Sequence, residues 1–141
     1  MIAYFDTSSV VPLIVEEPST GLCNRAWNDS TRVVCARLLY PEARAALARA
    51  ERMGRLGRSQ LRDAVAELDS IITQVDHIEL TAALARRAGE LAEAHGMRGY
   101  DAVHLAAAEA VQDGDLVLVT GDASLAGAAR SVGLAVLATS S

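Results

Sequence analysis

Leu116-Val117-Leu118-Val119-Thr120-Gly121-Asp122 is the stretch whose reading decides the fold. Its apolar run shows no polar alternation, which is how a strand reads when helices cover both faces of a parallel sheet. Gly121-Asp122 then turns into a helix through Arg130, and Leu134-Ala135-Val136-Leu137 gives a last strand. At the other end of the chain, residues 2–5 are a second short buried strand, and Asp6 follows it with Thr7-Ser8-Ser9 behind. Both acids therefore stand where a strand gives way to a helix. In an open α/β sheet that is where ligands bind.

The chain between these two strands keeps the same alternation. Helices are expected over residues 8–15, with Pro12 near the start, and over residues 20–28. Arg32-Val33-Val34-Cys35 is the next strand, and a helix runs from Arg37 to Arg52 until Gly54 and Gly57 break it. Ser59 offers the next N-cap, and Leu61, Val65, Leu68, Ile72 and Val75 recur on one helical face. Residues 76–80 resemble a strand, and Leu84, Ala88, Leu91 and His95 form the inner stripe of the following helix. Residues 97–100 are a loop to Asp101, which opens a helix with Val103, Ala106, Ala107 and Ala110 on one face. Strands alternating with helices throughout imply a three-layer α/β/α fold. With 141 residues and 51% hydrophobic content, residues 1–141 suit a single domain.

Composition narrows the function. All thirteen basic residues are Arg, which excludes chemistry that needs a lysine, including P-loop phosphate binding and Schiff bases. No GxGxxG follows the first strand, against dinucleotide binding, and position 8 lacks the second acid that phosphotransfer would want. The net charge of −5 argues against broad attraction to nucleic acid. Its distribution is uneven, because the segment from Arg44 to Arg62 holds six Arg against Glu51 alone. Arg44, Arg49 and Arg52 are the candidates there for phosphate contact, since Arg pairs bidentately with phosphate. With five aromatics, base stacking on aromatic platforms is not expected to dominate any such binding. Cys23 and Cys35 lack the spacing of a zinc site and read as core residues. No charged leader precedes the first strand and no apolar stretch reaches about 18 residues, so a soluble cytoplasmic protein is expected, with no membrane span.

Asp6 and Asp122 follow parallel strands and so share one edge of the sheet. Asp101 falls beside them if its helix starts from that edge, and Glu42, about a turn and a half into its helix, can still reach it. Each acid has a plainer use as a helix cap or first-turn acid. Together they repel, by roughly 4 kcal/mol per pair about 4 Å apart at an effective dielectric of 20. No lysine can compensate, and the Arg-rich segment lies beyond Glu42. A divalent cation can, since Mg²⁺ prefers carboxylate and water oxygens.

In order and spacing, Tyr4-Phe5-Asp6-Thr7-Ser8, Leu39-Tyr40-Pro41-Glu42, Arg98-Gly99-Tyr100-Asp101-Ala102-Val103-His104-Leu105-Ala106 and Thr120-Gly121-Asp122 resemble the PIN-domain ribonucleases, most of all the VapC toxins of bacterial toxin–antitoxin pairs. The resemblance covers essentially the whole chain. It implies a parallel sheet of order 3-2-1-4-5 and Mg²⁺- or Mn²⁺-dependent endonucleolytic cleavage of RNA. Asp6 and Asp101 would be the principal metal ligands, Glu42 and Asp122 would complete the cluster, and Thr7 and Thr120 would support it through hydrogen bonds. A cognate antitoxin is the implied partner, in a heteromeric complex built on a homodimer. His104, one turn after Asp101, is read as a structural histidine. The alternative is a non-catalytic RNA- or protein-binding module on the same fold, its acids serving as caps.

Overall fold

The computed structural model describes residues 1–111 and 113–140. Its elements run β1 (Ile2–Phe5), α1 (Thr7–Ile14), α2 (Thr20–Asp29), β2 (Arg32–Ala36), α3 (Leu39–Arg52), α4 (Arg58–Ile72), β3 (Asp76–Ile78), α5 (Ala82–His95), α6 (Gly99–Ala110), β4 (Leu116–Thr120), α7 (Ala123–Ser131) and β5 (Ala135–Ala138). All strand pairings are parallel, in the order β3-β2-β1-β4-β5. The expected architecture and strand order are both present.

Side-chain alternation along the strands assigns the two layers. Tyr4, Val34, Leu116 and Leu118 pack with Leu84, Leu91, Leu105 and Leu125 of α5, α6 and α7. Ala3, Phe5, Val33, Cys35 and Val119 pack with Val10, Ala26, Leu47 and Leu68 of α1 to α4. A strand covered on both faces is apolar on both, which is why Leu116 to Val119 of β4 show no alternation in polarity.

The chain steps outward from β1 through β2 to β3, then returns to place β4 on the other side of β1. The order reverses between β1 and β4, and the crevice beyond their C-terminal ends is the switch point. The register sets Phe5 beside Val119, bringing Asp6 and Thr120 to one level.

Several local expectations need correction. α4 starts at Arg58 because Gly57, not Ser59, is the N-cap, its amide donating to Gln60 Oε1 at 2.7 Å. Pro12 sits in the second half of α1, and the helix ends two residues later. His95 is exposed rather than part of the α5 stripe, being the last helical residue before Gly96 turns left-handed at φ 64°. α6 starts at Gly99, so Asp101 is a first-turn residue instead of a cap. Ala102 and Leu105 to Ala108 are all buried, because the sheet and two helices surround α6.

Leu118 is fully buried at the centre of the sheet. Leu118→Ala should lower stability by about 2–5 kcal/mol in urea titration, and a loss below about 1 kcal/mol would contradict this packing. Cys35, also fully buried, has its thiol pushed by desolvation up to about 12. Since the thiolate is the nucleophile, Cys35 should resist alkylation at mildly alkaline pH until denaturant is added. Modification at a free-cysteine rate in native buffer would refute its placement.

Candidate active site

Asp6 caps α1 and is 4% exposed. Its Oδ1 accepts from the Ser9 amide at 3.2 Å and Ser9 Oγ at 3.1 Å, and its Oδ2 accepts from Thr120 Oγ1 at 2.7 Å. Ser8 Oγ lies 2.8 and 2.9 Å from the two carboxylate oxygens. Burial pushes the Asp6 carboxyl above its ordinary 3.8, and these hydrogen bonds, with the nearby His104, only partly oppose it. Gly121 lets β4 close on this knot: its amide donates to Ser8 Oγ at 2.8 Å, and a Cβ there would lie 3.2 Å from Thr139 Oγ1.

Glu42, half-buried in the first turn of α3, is held from two directions. Thr7 Oγ1 donates to its Oε1 at 2.8 Å, and His104 Nε2 lies 2.6 Å from the same oxygen. Burial raises the Glu42 carboxyl, but the bond to His104, the charges of His104 and Arg98 and the Thr7 hydroxyl outweigh it and hold it below 4.5. A carboxylate only accepts, so Nε2–H is the donor. The other ring nitrogen, Nδ1, is 2.8 Å from the hydroxyl of the fully buried Tyr4. Desolvation raises the Tyr4 phenol well above 10, so it stays protonated and can donate to Nδ1. A chain Tyr4–His104–Glu42 thus runs from β1 through α6 to α3. His104 is as buried as a structural histidine would be, at 2% exposure, and still touches a site carboxylate.

Asp101 completes the group at the rim, with Arg98 Nε 3.2 Å from its Oδ2. The expectation that no protein cation faces these acids is corrected here by Arg98, which sits on Asp101. The Arg98 side chain is 85% exposed, so the pair is worth about 0–1 kcal/mol.

Asp6, Glu42, Asp101 and His104 line one cavity of about 400 Å³, with Thr7, Ser8, Val11, Ala46 and Glu17. Asp122 is at the same sheet edge but is not in that lining. Its Oδ1 caps α7 by accepting from the Ser124 and Leu125 amides, and its own amide donates to Thr120 Oγ1 at 3.0 Å. Glu17 supplies an unanticipated fourth acid, 3.3 Å from Arg55 Nη2. Its sequence signal, Glu16-Glu17-Pro18, reads only as a helix end. Ser8 and Ser9 did carry a legible signal, since hydroxyls two and three residues after a capping Asp face it.

Of the arginine candidates, Arg49 lines a cavity of about 320 Å³ that shares Val11, Ala46 and Glu17 with the site. Arg44 instead lies over the Tyr40 ring, 5.7 Å from its centroid, and Arg52 is exposed in the last turn of α3. Asp113 and Asp115 belong to the opposite edge, where Asp115 is 3.5 Å from the Met1 amino group. Among the described residues, no three His, Cys, Asp or Glu side chains stand close enough to grip a cation together. With the His104 nitrogens taken up by Tyr4 and Glu42, the carboxylates of the cavity suit a hard cation that binds one or two of them and keeps several waters, as Mg²⁺ does. Also among the described residues, no helix is long and apolar enough to cross a membrane.

Comparison with known proteins places the whole of this architecture. Residues 3–140 match the PIN domain. Ribonuclease VapC45 of Mycobacterium tuberculosis is 41% identical over 132 residues, 94% of this chain and 92% of the relative. The crystal structure of Mycobacterium tuberculosis VapC20, described as a sarcin–ricin loop cleaving toxin, superposes with a TM-score of 0.71 at 20% identity, covering 94% of this chain and 95% of that one. A toxin–antitoxin complex from Klebsiella pneumoniae gives 0.69 at 17% identity, with 97% of each chain covered.

The buried carboxylate makes a pH prediction. Asp6 has a raised pKa in the fold, so its contribution to stability is present below the unfolded value and is lost as pH rises through the folded one. Asp6→Asn keeps an oxygen for the Ser9 amide and removes the buried charge. In thermal melts with EDTA it should exceed the parent at neutral pH, with the advantage shrinking on acidification toward 3.8. A less stable variant at neutral pH would show that the hydrogen bonds outweigh burial.

Proposed function

This chain belongs to the PIN-domain family, with VapC proteins among its relatives, and from that premise we propose that it is a metal-dependent endoribonuclease, the toxin of a toxin–antitoxin pair. The observation that carries the reading is the convergence of Asp6, Glu42 and Asp101, from three separate elements, on one cavity at the switch point. A relative 41% identical bears the name ribonuclease, and a protein of the same fold is described as a sarcin–ricin loop cleaving toxin.

Mg²⁺ or Mn²⁺ would sit in the cavity lined by Asp6, Glu42 and Asp101, held by one or two of these carboxylates and by waters, with Asp122 behind Thr120 at the edge. When bound, the ion acidifies water and offsets the charge that builds on a phosphodiester under attack. The chain's own residues prepare that chemistry. Ser8, Ser9 and Thr120 fix both oxygens of Asp6, so its carboxylate meets a ligand without reorganising. Thr7 and His104 converge on Oε1 of Glu42, which orients the second carboxylate. Arg98 is free to swing from Asp101 toward a phosphate, and Arg49 sits farther along the adjoining cavity.

An antitoxin is the expected regulator, because proteins of this fold are described in toxin–antitoxin complexes; a homodimer is the expected form of the toxin. One observation favours the non-catalytic alternative. Asp6 and Asp122 do cap α1 and α7, the uses that reading gives them.

The two readings part in solution. Asp6→Asn and Asp101→Asn should each abolish RNA cleavage in Mn²⁺ while melting cooperatively, and EDTA should silence the parent chain. Mn²⁺ at a hundred times Kd should stabilise the parent by about 2.7 kcal/mol. Equal cleavage by all three proteins with EDTA present, or no stabilisation by Mn²⁺, would remove the metal-dependent reading.

A further inference from the structure

Of the chain's five aromatic residues, four have a place in its own packing. Tyr4 and Phe5 are fully buried, Trp27 meets Phe5 edge-on at 5.8 Å, and Tyr40 donates to Asp69 Oδ1 with Arg44 over its ring. Tyr100 is the exception, 65% exposed. It is the second residue of α6, adjacent to Asp101 and four positions before His104, and both of those line the cavity. His104, four positions on, shares the Tyr100 side of the helix, and helical side chains lean toward the N-terminus. The exposed ring therefore stands on the side of α6 that His104 turns to the cavity, and the 85% exposed Arg98 reaches the same opening through its contact with Asp101.

A nucleotide whose phosphate lies at the carboxylates must put its base just outside them. An exposed ring next to Asp101, with a guanidinium on the other side of that acid, suits that base, because every base offers a π-face to an aromatic side chain and to Arg. The scarcity of aromatics excludes a platform of several rings, but one ring serves one base. That base must be unpaired, since a base stacked within a duplex has no free face.

We propose that Tyr100 is the base-stacking residue of the site, holding an unpaired base next to the cleaved bond with Arg98 alongside. This rests on the ribonuclease reading above, and its test separates the two.

The test uses the full chain in an Asp6→Asn background, so that RNA is not consumed. The probe is a short single-stranded oligoribonucleotide carrying a fluorescent adenine analogue that dims when stacked. Tyr100→Ala should weaken binding by about five- to a hundredfold and abolish the dimming, whereas Tyr100→Phe and Tyr100→Trp should retain both. With Asp6 restored, Tyr100→Ala should raise KM and leave kcat nearly unchanged. Unaltered binding and dimming in Tyr100→Ala would overturn the proposal. So would unaltered dimming with a smaller assembly in sedimentation, which would assign the ring to contact between copies of the chain. Tyr100-dependent dimming by a parent chain that cleaves no RNA in Mn²⁺ would support the stacking role and sink the ribonuclease reading alone.

Discussion

The structure turns on one carboxylate, that of Asp6, withdrawn from water at the end of the central strand. A buried carboxylate without hydrogen bonds is costly enough to take up a proton or refuse the fold. Asp6 meets that constraint with hydroxyls and an amide from two elements, the first turn of α1 and the end of β4. The β1–β4 register is tied to the same knot. A one-residue slip would turn Thr120 to the other face and leave Asp6 Oδ2 without its shortest bond.

The other acids are compensated one by one, not by a shared counter-charge. Glu42 has Thr7 and His104, Asp101 has a loosely held arginine, and Glu17 has Arg55. Spread over a cavity of about 400 Å³, they do not form the tight cluster whose repulsion a cation alone could relieve. Each of these acids is held in the fold by its own local partners. That arrangement keeps the carboxylates oriented, at a cost to stability concentrated in the buried Asp6.

α6 shows how packing delivers chemistry. Ala106, Ala107 and Ala108 have little side-chain bulk, so the helix settles between the sheet and α5 and α7 with those positions buried. Its first turns then meet α3 and β1 closely enough for His104 to bridge Tyr4 and Glu42. Larger side chains along that face would lift the helix, and both bonds of His104 would lengthen together.

Much of this was legible in the chain itself. The unbroken apolar run of β4 gave a covered parallel strand, alternation of strands with helices gave three layers, and Asp6 and Asp122 fell on one edge because parallel strands share a direction. These are local patterns of hydrophobicity and turn chemistry, and they need no knowledge of what packs on what. The partners of each acid came only with tertiary structure. Tyr4 and His104 are a hundred positions apart, and a residue's distance from its partners in sequence carries no sign of contact. For the same reason Glu17 enters the cavity unannounced, while Asp122, on the predicted edge, spends Oδ1 on the amides of α7. Direction along a strand is written in sequence; where a side chain points, and what reaches it first, is decided by the packing of whole elements.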